Sequence, residues 1–182
     1  GCARPQRVVG FHFFNPVPLM KVVEVIDGVR GAPEVGDAMI LLARRMGHEP
    51  VRAKDTPGFI VNHAGRGYGT EALRLLGENV AAAHVIDAVL REQAGFKLGP
   101  FELLDLPGLD VSVPVMESIY HQYYQEARYR PSPIAAQRLT GGLLGRKTGR
   151  GFYDYADGKA VAIPSMARPA ALPGRVWVSQ TH

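Results

Sequence analysis

The start of the chain holds two short apolar runs that predict β-strands. Residues Arg7 to Phe14 and Lys21 to Ile26 are rich in Val, Phe and Ile. Between them stands Asn15-Pro16-Val17-Pro18, whose prolines lack the amide donor that a strand ladder needs. We therefore expect two strands joined by a proline-rich turn.

The apolar positions then change to a helical period. Pro33 is suited to the first turn of a helix through Arg45, and Gly47 is suited to its end. Pro50 to Ala53 predicts a further short strand. The apolar residues at helical spacing are Val35, Ala38, Met39, Leu42 and Met46. The order strand, strand, helix, strand is typical of the end of an α/β domain.

From Thr56 the periodicity predicts a compact helical domain. Beyond it, the Ala- and Pro-rich stretch Ala156 to Gly174 indicates a linker, and Arg175 to Ser179 indicates a new strand. The predicted helices are Phe59 to Leu76, Ala82 to Gln93, Pro100 to Leu106, Pro114 to Tyr124 and Ile134 to Thr140.

The composition favours a globular protein of ordinary charge. The 182 residues are 46% hydrophobic, which is enough to bury the core of one domain or of a domain plus a fragment. The net charge of +4 comes from 21 basic and 17 acidic residues. The one dense basic cluster is Arg146, Lys147 and Arg150, which is too small to neutralise phosphates along a whole face. We expect no nucleic-acid partner, while an anionic small molecule suits this charge.

The cysteine and histidine content argues against disulfides and metals. Cys2 is the sole cysteine, which excludes an intrachain disulfide and favours the cytoplasm. His63, His84 and His121 lack metal-ligand spacing, so we expect no metal. No apolar run approaches the ~20 residues that span a membrane, so we expect no membrane partner. Because the chain starts at Gly1 without Met, we expect it to be a piece of a longer protein.

His12 and Glu24 are polar residues inside apolar strands and are the first candidates for chemistry. A carboxylate buried among valines is unfavourable unless a partner compensates it, and His12 lies across the predicted turn. Such a partner fixes the imidazole tautomer and stabilises the imidazolium, as general acid/base catalysis requires. The alternative is a buried pair that only sets the register of the strands.

Two asparagines have a functional and a plain interpretation each. Asn62 is disfavoured inside a helix, so it either faces a cleft or is exposed to solvent. Asn15 follows the strand that carries His12, where turn formation is the plain interpretation. The stretch Gly65 to Gly69 lacks the GxGxxG spacing and a preceding strand, so it does not predict a dinucleotide loop.

Several motifs resemble the 3-hydroxyacyl-CoA dehydrogenase family of fatty-acid β-oxidation. The motifs are HFFNPVPLMKVVEVI, DTPGFIVNHAGRGYGTEALRLL, GFKLGPFELLDLPGLDV and GRKTGRGFYDY, and together they cover about Gly10 to Tyr155. The segments LDLPGLD and RPSPI resemble the sequences of the branch of this family that acts in phenylacetate degradation and 3-hydroxybutyryl-CoA metabolism.

The resemblance implies roles for the candidate residues. His12 would exchange the proton of the substrate's 3-hydroxyl while NAD takes the hydride, and Glu24 would hold that histidine. Asn62 would contact the substrate's 3-oxygen, and Asn15, from the motif of His12, is a second substrate-binding candidate. The resemblance also implies an acyl-CoA substrate and a homodimer formed through the helical domain.

The resemblance implies a mainly α fold, in which a helical C-terminal dehydrogenase domain follows the last β-β-α-β portion of a Rossmann-type domain. We assign residues 1–55 to the remnant of the NAD-binding domain, 56–155 to the helical domain, and 156–182 to a linker and the start of a following module. Because no GxGxxG turn is present, NAD would be bound mainly by a domain outside the chain, and we expect the fragment alone to be inactive. The alternative is a non-catalytic module for acyl-CoA docking and dimerisation.

Overall fold

A three-stranded sheet with one covering helix forms the first part of the molecule. The computed structural model describes residues 2–15 and 17–162. Strand β2 lies in the centre, antiparallel to β1 and parallel to β3, and α1 makes the crossover that a parallel pair needs. These elements are β1 (Val9–Phe13), β2 (Val22–Asp27), α1 (Pro33–Arg45) and β3 (Glu49–Lys54). The predicted β-β-α-β order is confirmed.

Short helices form the second part of the molecule around one apolar core. Leu73, Phe101, Leu109 and Met116 have no exposed surface and lie at the centre of this core. The helices are α2 (Val61–Ala64), α3 (Arg66–Gly77), α4 (Ala83–Glu92), α5 (Pro100–Asp105), α6 (Leu109–Gln122) and α7 (Pro133–Thr140). The mainly α class is therefore confirmed. No helix in the described ranges is long and apolar enough to cross a membrane.

The predicted long helix Phe59 to Leu76 is wrong at its start. Gly58 and Phe59 both have left-handed backbone, with φ angles of 80° and 49°, so the helical backbone begins only after them and α2 starts at Val61. A tight turn at Gly65 then separates α2 from α3. Hydrophobic periodicity did not detect the left-handed turn at Gly58 and Phe59, because Phe59 continues the apolar pattern although its backbone is not helical.

The predicted helix start at Pro114 is also wrong, because α6 begins five residues earlier at Leu109. Proline is favoured in the first turn of a helix, which is why Pro114 suggested a start. Inside the helix it removes one backbone hydrogen bond. The buried residues Leu109, Val113 and Met116 on the same helix compensate for that loss by packing in the core.

Two buried aspartates hold the helical part together. Asp87 of α4 accepts hydrogen bonds from the amides of Phe101 and Glu102 at 2.9 and 3.0 Å and from the hydroxyl of Tyr153 at 2.7 Å. The carboxylate therefore caps the start of α5 and joins it to the segment after α7. Burial raises the pKa of Asp87 and also that of the Tyr153 hydroxyl.

Asp105, at the end of α5, binds the same C-terminal segment. Its carboxylate accepts hydrogen bonds from the amides of Phe152 and Tyr153 and from the hydroxyl of Tyr155, each at 3.0 Å. A Cβ at Gly151 would lie 2.3 Å from a carboxylate oxygen of Asp105, so this approach requires glycine. Burial raises the pKa of Asp105.

The raised pKa values of Asp87 and Asp105 predict a pH dependence of stability. Because the folded state holds these protons to a higher pH than the unfolded chain, their contribution is fully present below about pH 4 and declines as the pH rises through the raised values. We expect the free energy of unfolding, measured with urea, to fall with pH in this window relative to Asp87→Asn, which has no proton to lose at that site. A difference that is flat or rises with pH would contradict this.

A small hairpin ends the described part of the chain. Strands β4 (Tyr155–Ala156) and β5 (Lys159–Ala160) pair antiparallel in a stretch where the sequence predicted a linker from Ala156 onward. The Asp157-Gly158 turn at the tip was not recognised in that interpretation. The remainder of the predicted linker and the predicted strand Arg175 to Ser179 lie outside the described residues.

Candidate active site

His12 and Glu24 form a hydrogen-bonded pair across β1 and β2. The two residues are direct partners in the antiparallel register, so their side chains leave the same face of the sheet. Nδ1 of His12 lies 2.8 Å from Oε2 of Glu24. Glu24 has no exposed surface, whereas 31% of the His12 side chain is exposed. The sequence-predicted pair is thus brought together, with its carboxylate buried and its imidazole accessible.

The other oxygen of Glu24 binds the backbone at the start of α2. Oε1 accepts hydrogen bonds from the amides of Ile60 and Val61 at 2.9 and 3.0 Å. The left-handed backbone of Gly58 and Phe59 turns the chain so that these successive amides converge on one anion. Three donors therefore compensate for the burial of this carboxylate, two of them from the helical part of the molecule.

This arrangement fixes the role of each nitrogen of His12. An ionised carboxylate only accepts hydrogen bonds, so Nδ1 carries a proton and donates a hydrogen bond to Glu24. Nε2 of the neutral ring is then the free basic atom. The imidazole ring contacts Phe14, which directly follows β1, and Phe59 in the turn before α2, with centroid distances of 4.8 and 5.5 Å.

His12 opens onto a cleft of about 630 Å³ between the sheet and α6. Asn62 lines this cleft as well, so the structure brings it together with His12. Asn15 instead lies exposed in the turn after β1 and is not part of the lining. The lining residues are His12, Asp55, Thr56, Pro57, Gly58, Phe59, Asn62, Pro114, Val115, Ser118, Ile119 and Gln122.

Some residues of this cleft were missed by sequence reasoning. Ser118 and Gln122 stand one turn apart on α6, and Nε2 of Gln122 donates a hydrogen bond to Oγ of Ser118 at 2.8 Å. Their spacing of four residues was the available signal. The role of the backbone amides of Ile60 and Val61 could not be predicted from side-chain identities, and Gly58 was the one residue in the sequence that indicated a turn there.

Glu24→Gln is expected to disturb both the fold and the tautomer of His12. An amide group would direct N–H donors at the backbone amides or at Nδ1, so at least one buried donor loses its acceptor, at a cost of about 1–3 kcal/mol. We expect a lower free energy of unfolding in urea and a ¹⁵N spectrum in which His12 no longer has one dominant tautomer. Glu49→Gln, an exposed site on the neighbouring β3, is the matched control. An unchanged His12 spectrum would contradict the assigned role of Glu24.

The described residues contain no group of three or more His, Cys, Asp or Glu side chains arranged to hold a metal ion. The polar groups that line the cleft are the imidazole of His12, which is paired with Glu24, and the side chains of Asp55, Thr56, Asn62, Ser118 and Gln122. An imidazole beside donors of this kind can move a proton to and from an oxygen atom.

Comparison with protein families gives two adjacent matches. Residues 58–155 match the family model described as "3-hydroxyacyl-CoA dehydrogenase, C-terminal domain". Residues 1–56 match the model described as "3-hydroxyacyl-CoA dehydrogenase, NAD binding domain". The two matches meet at the left-handed turn that precedes α2.

Similar proteins and structures carry related names. The 3-hydroxyadipyl-CoA dehydrogenase of Escherichia coli (strain K12) is 50% identical over 151 residues, which are 83% of this chain and 32% of that protein. A probable 3-hydroxybutyryl-CoA dehydrogenase of Bacillus subtilis (strain 168) is 41% identical, over 85% of this chain and 53% of that protein. This chain thus spans about a third of the length of the first relative and about half of the length of the second.

A solved structure shares the fold of this chain. The crystal structure of a 3-hydroxybutyryl-CoA dehydrogenase from Escherichia coli K12 superposes with a TM-score of 0.81 at 46% identity, covering 91% of this chain and 35% of that one. The likeness includes both the sheet and the helical part, because the superposition extends over most of the chain.

Proposed function

This chain belongs to the 3-hydroxyacyl-CoA dehydrogenase family, and from that premise we propose that it supplies the acid/base and acyl-CoA-binding part of an NAD-dependent 3-hydroxyacyl-CoA dehydrogenase. The reaction would convert a (3S)-3-hydroxyacyl-CoA to the 3-oxoacyl-CoA. The observation that carries the proposal is the imidazole of His12, which is held by the buried Glu24 and opens onto a cleft shared with Asn62.

His12 is proposed as the proton-transferring residue. In the oxidative direction its Nε2 accepts the proton of the 3-hydroxyl while C3 loses a hydride and the oxygen becomes a carbonyl oxygen. The resulting imidazolium is stabilised by Glu24 through Nδ1, and in the reverse direction it returns the proton to the 3-oxygen. NAD, when bound, supplies the hydride acceptor.

Asn62 is proposed to position the substrate. Its amide can donate a hydrogen bond to the 3-oxygen from the same cleft as His12, which orients the oxygen and stabilises charge that develops on it. The substrate-binding role of Asn15 remains a prediction from the motif, since this residue is exposed in the turn beyond β1.

The chain by itself does not fit a complete NAD site. The sequence contains no GxGxxG turn, the feature on which the pyrophosphate of a dinucleotide rests in Rossmann-type domains. We therefore propose that NAD is held mainly by residues outside this chain and that the isolated chain has no useful dehydrogenase activity.

We also propose that the helical part forms a homodimer. Large apolar side chains remain exposed around α5 and the start of α6, among them Phe96, Leu103 and Val111 with 50%, 45% and 42% exposure. Apolar surface of this kind is suited to a second copy of the chain. The proposal is tested by sedimentation over a range of concentrations.

The experiment for the proposed function is NADH consumption with acetoacetyl-CoA. The chain is assayed alone and after mixing with a separately produced nucleotide-binding domain of the family. We expect no NADH consumption by the chain alone and clear consumption by the mixture. No consumption in either sample, although both proteins are folded and associate, would favour the docking and dimerisation module instead.

A further inference from the structure

Phe59 has a backbone conformation that its side chain disfavours. Its φ angle of 49° lies in the left-handed region, where a bulky side chain is strained. The turn before it is accounted for by other residues, because the Phe59 amide donates to the Thr56 carbonyl oxygen at 2.8 Å with Pro57 and Gly58 in the central positions. That turn does not require an aromatic residue at position 59. Strained residues of this kind are held by their surroundings and cluster at functional sites.

The backbone of Phe59 directs the donors that hold Glu24. The next two amides, those of Ile60 and Val61, bind the same carboxylate oxygen at 2.9 and 3.0 Å. Successive amides converge on one anion in this way when the backbone changes between left-handed and right-handed conformations. A fully extended or helical Phe59 would point at least one of these amides away from Glu24.

The ring of Phe59 contacts the other member of the pair. Its centroid lies 5.5 Å from that of the His12 imidazole, and the residue lines the cleft onto which His12 opens. The side chain is half-buried and, among the described residues, does not belong to the apolar core of the helical part. Packing in that core therefore does not account for the aromatic side chain, whereas contact with the imidazole does.

This contact restricts the orientation of the imidazole. The hydrogen bond of 2.8 Å to Glu24 requires Nδ1 to face the carboxylate. A rotation of the ring about the Cβ–Cγ bond would break that bond and turn a carbon-bound hydrogen towards Glu24. With 31% of the His12 side chain exposed, solvent alone does not prevent this rotation. The neighbouring rings of Phe14 and Phe59 occupy the space that the rotating imidazole needs.

We propose that Phe59 is a positioning residue for His12, acting through its backbone on Glu24 and through its ring on the imidazole. The inference rests on the proposed function, because the proton transfer whose geometry it controls is that of His12. One residue of the segment between β3 and α2 thereby orients both members of a pair that lies in β1 and β2.

Exchange of the Nδ1 proton of His12 with water tests the inference without requiring catalysis. The exchange rate is measured by ¹⁵N-edited NMR on the whole 182-residue chain. Phe59→Gly removes the ring, while glycine adopts the left-handed backbone without strain, so the amides should still bind Glu24. We expect about tenfold faster exchange in Phe59→Gly, because the bond to Glu24 opens more often. Phe59→Tyr keeps the ring and should restore slow exchange.

Turnover in the reconstituted mixture measures the effect on the proposed reaction. Phe59→Gly should lower turnover with acetoacetyl-CoA by roughly tenfold, because a base that is out of position slows the proton transfer. The KM should change less than about twofold, since the loss is one of transition-state geometry. Phe59→Tyr should recover most of the turnover.

Tyr124 provides a matched control for the glycine substitution. It is also an aromatic residue with left-handed backbone, at φ 53°, but its side chain is 95% exposed and outside the cleft lining. Tyr124→Gly should leave the exchange of the His12 proton and the turnover unchanged. Its unfolding midpoint reports the effect of glycine at such a position when no ring contact to His12 is lost.

Three outcomes would overturn the inference. Unchanged proton exchange in Phe59→Gly would mean that the ring does not hold His12. Equal acceleration in Phe59→Gly and Tyr124→Gly would assign the effect to general loosening of the fold. Faster exchange with unaltered turnover would reject the positioning role while leaving the proposed function intact. If the unsubstituted mixture consumes no NADH, the proposed function fails, and the exchange rates of the chain alone still decide whether Phe59 orients His12.

Discussion

His12→Ala should lower the turnover of the reconstituted dehydrogenase by ~10²–10⁴, the range usual for loss of a general acid/base. The reason is that Nε2 of His12 is the basic atom left free by the bond from Nδ1 to Glu24. The variant also leaves the Glu24 carboxylate with its two backbone donors, so the fold should be retained. Turnover is measured as NADH consumption with saturating acetoacetyl-CoA.

Imidazole and a second variant make the His12 test specific. Added imidazole should restore part of the turnover of His12→Ala, because the base can be supplied from solution into the space left by the ring. His121→Ala, at an exposed position of α6 outside the cleft lining, should keep full turnover. Full activity of His12→Ala would remove this residue from the proposed mechanism.

Asp105→Ala should lower the free energy of unfolding by about 3 kcal/mol or more. The substitution leaves the buried amide of Tyr153 and the half-buried amide of Phe152 and hydroxyl of Tyr155 without an acceptor, and a donor left unpaired in this way costs about 1–3 kcal/mol. Urea unfolding followed by far-ultraviolet circular dichroism measures the loss. Hydrogen exchange should show faster exchange at Phe152 and Tyr153 before the rest of the core.

An exposed aspartate in the same region provides the control for Asp105. Asp154 pairs with Arg150 at 3.1 Å with both side chains exposed, and such pairs contribute little to stability. Asp154→Ala should therefore leave the unfolding midpoint nearly unchanged. An equal loss for both variants would mean that charge near the segment matters more than the buried hydrogen bonds.

The His12–Glu24 pair was predictable because burial of a carboxylate is unfavourable without a partner, and the sequence places both residues in adjacent strands. The structure also shows two donors that the sequence did not predict, the backbone amides of Ile60 and Val61, which bind the second carboxylate oxygen of Glu24. Those donors depend on the left-handed backbone at Phe59, which no side-chain pattern indicates.

The burial of Asp87 and Asp105, in contrast, could not be predicted from the sequence. Asp87 and Asp105 lie in ordinary amphipathic helices, where a polar residue is expected on the exposed face. Each is buried because its partners come from distant parts of the chain, such as the segment 152–155. Periodicity describes one element at a time, so it cannot identify a carboxylate whose acceptor role depends on tertiary contacts.

The binding of Glu24 by backbone amides of the helical part has a consequence for module exchange. The family matches meet between residues 56 and 58, which suggests a crossover point for chimaeras at that boundary. A chimaera joined there would keep the amides of Ile60 and Val61 but receive a foreign strand opposite them. Recombination upstream of β1 would transfer both strands together with the amides of Ile60 and Val61. The His12–Glu24 pair would then stay intact while the cofactor-binding part of the enzyme is exchanged.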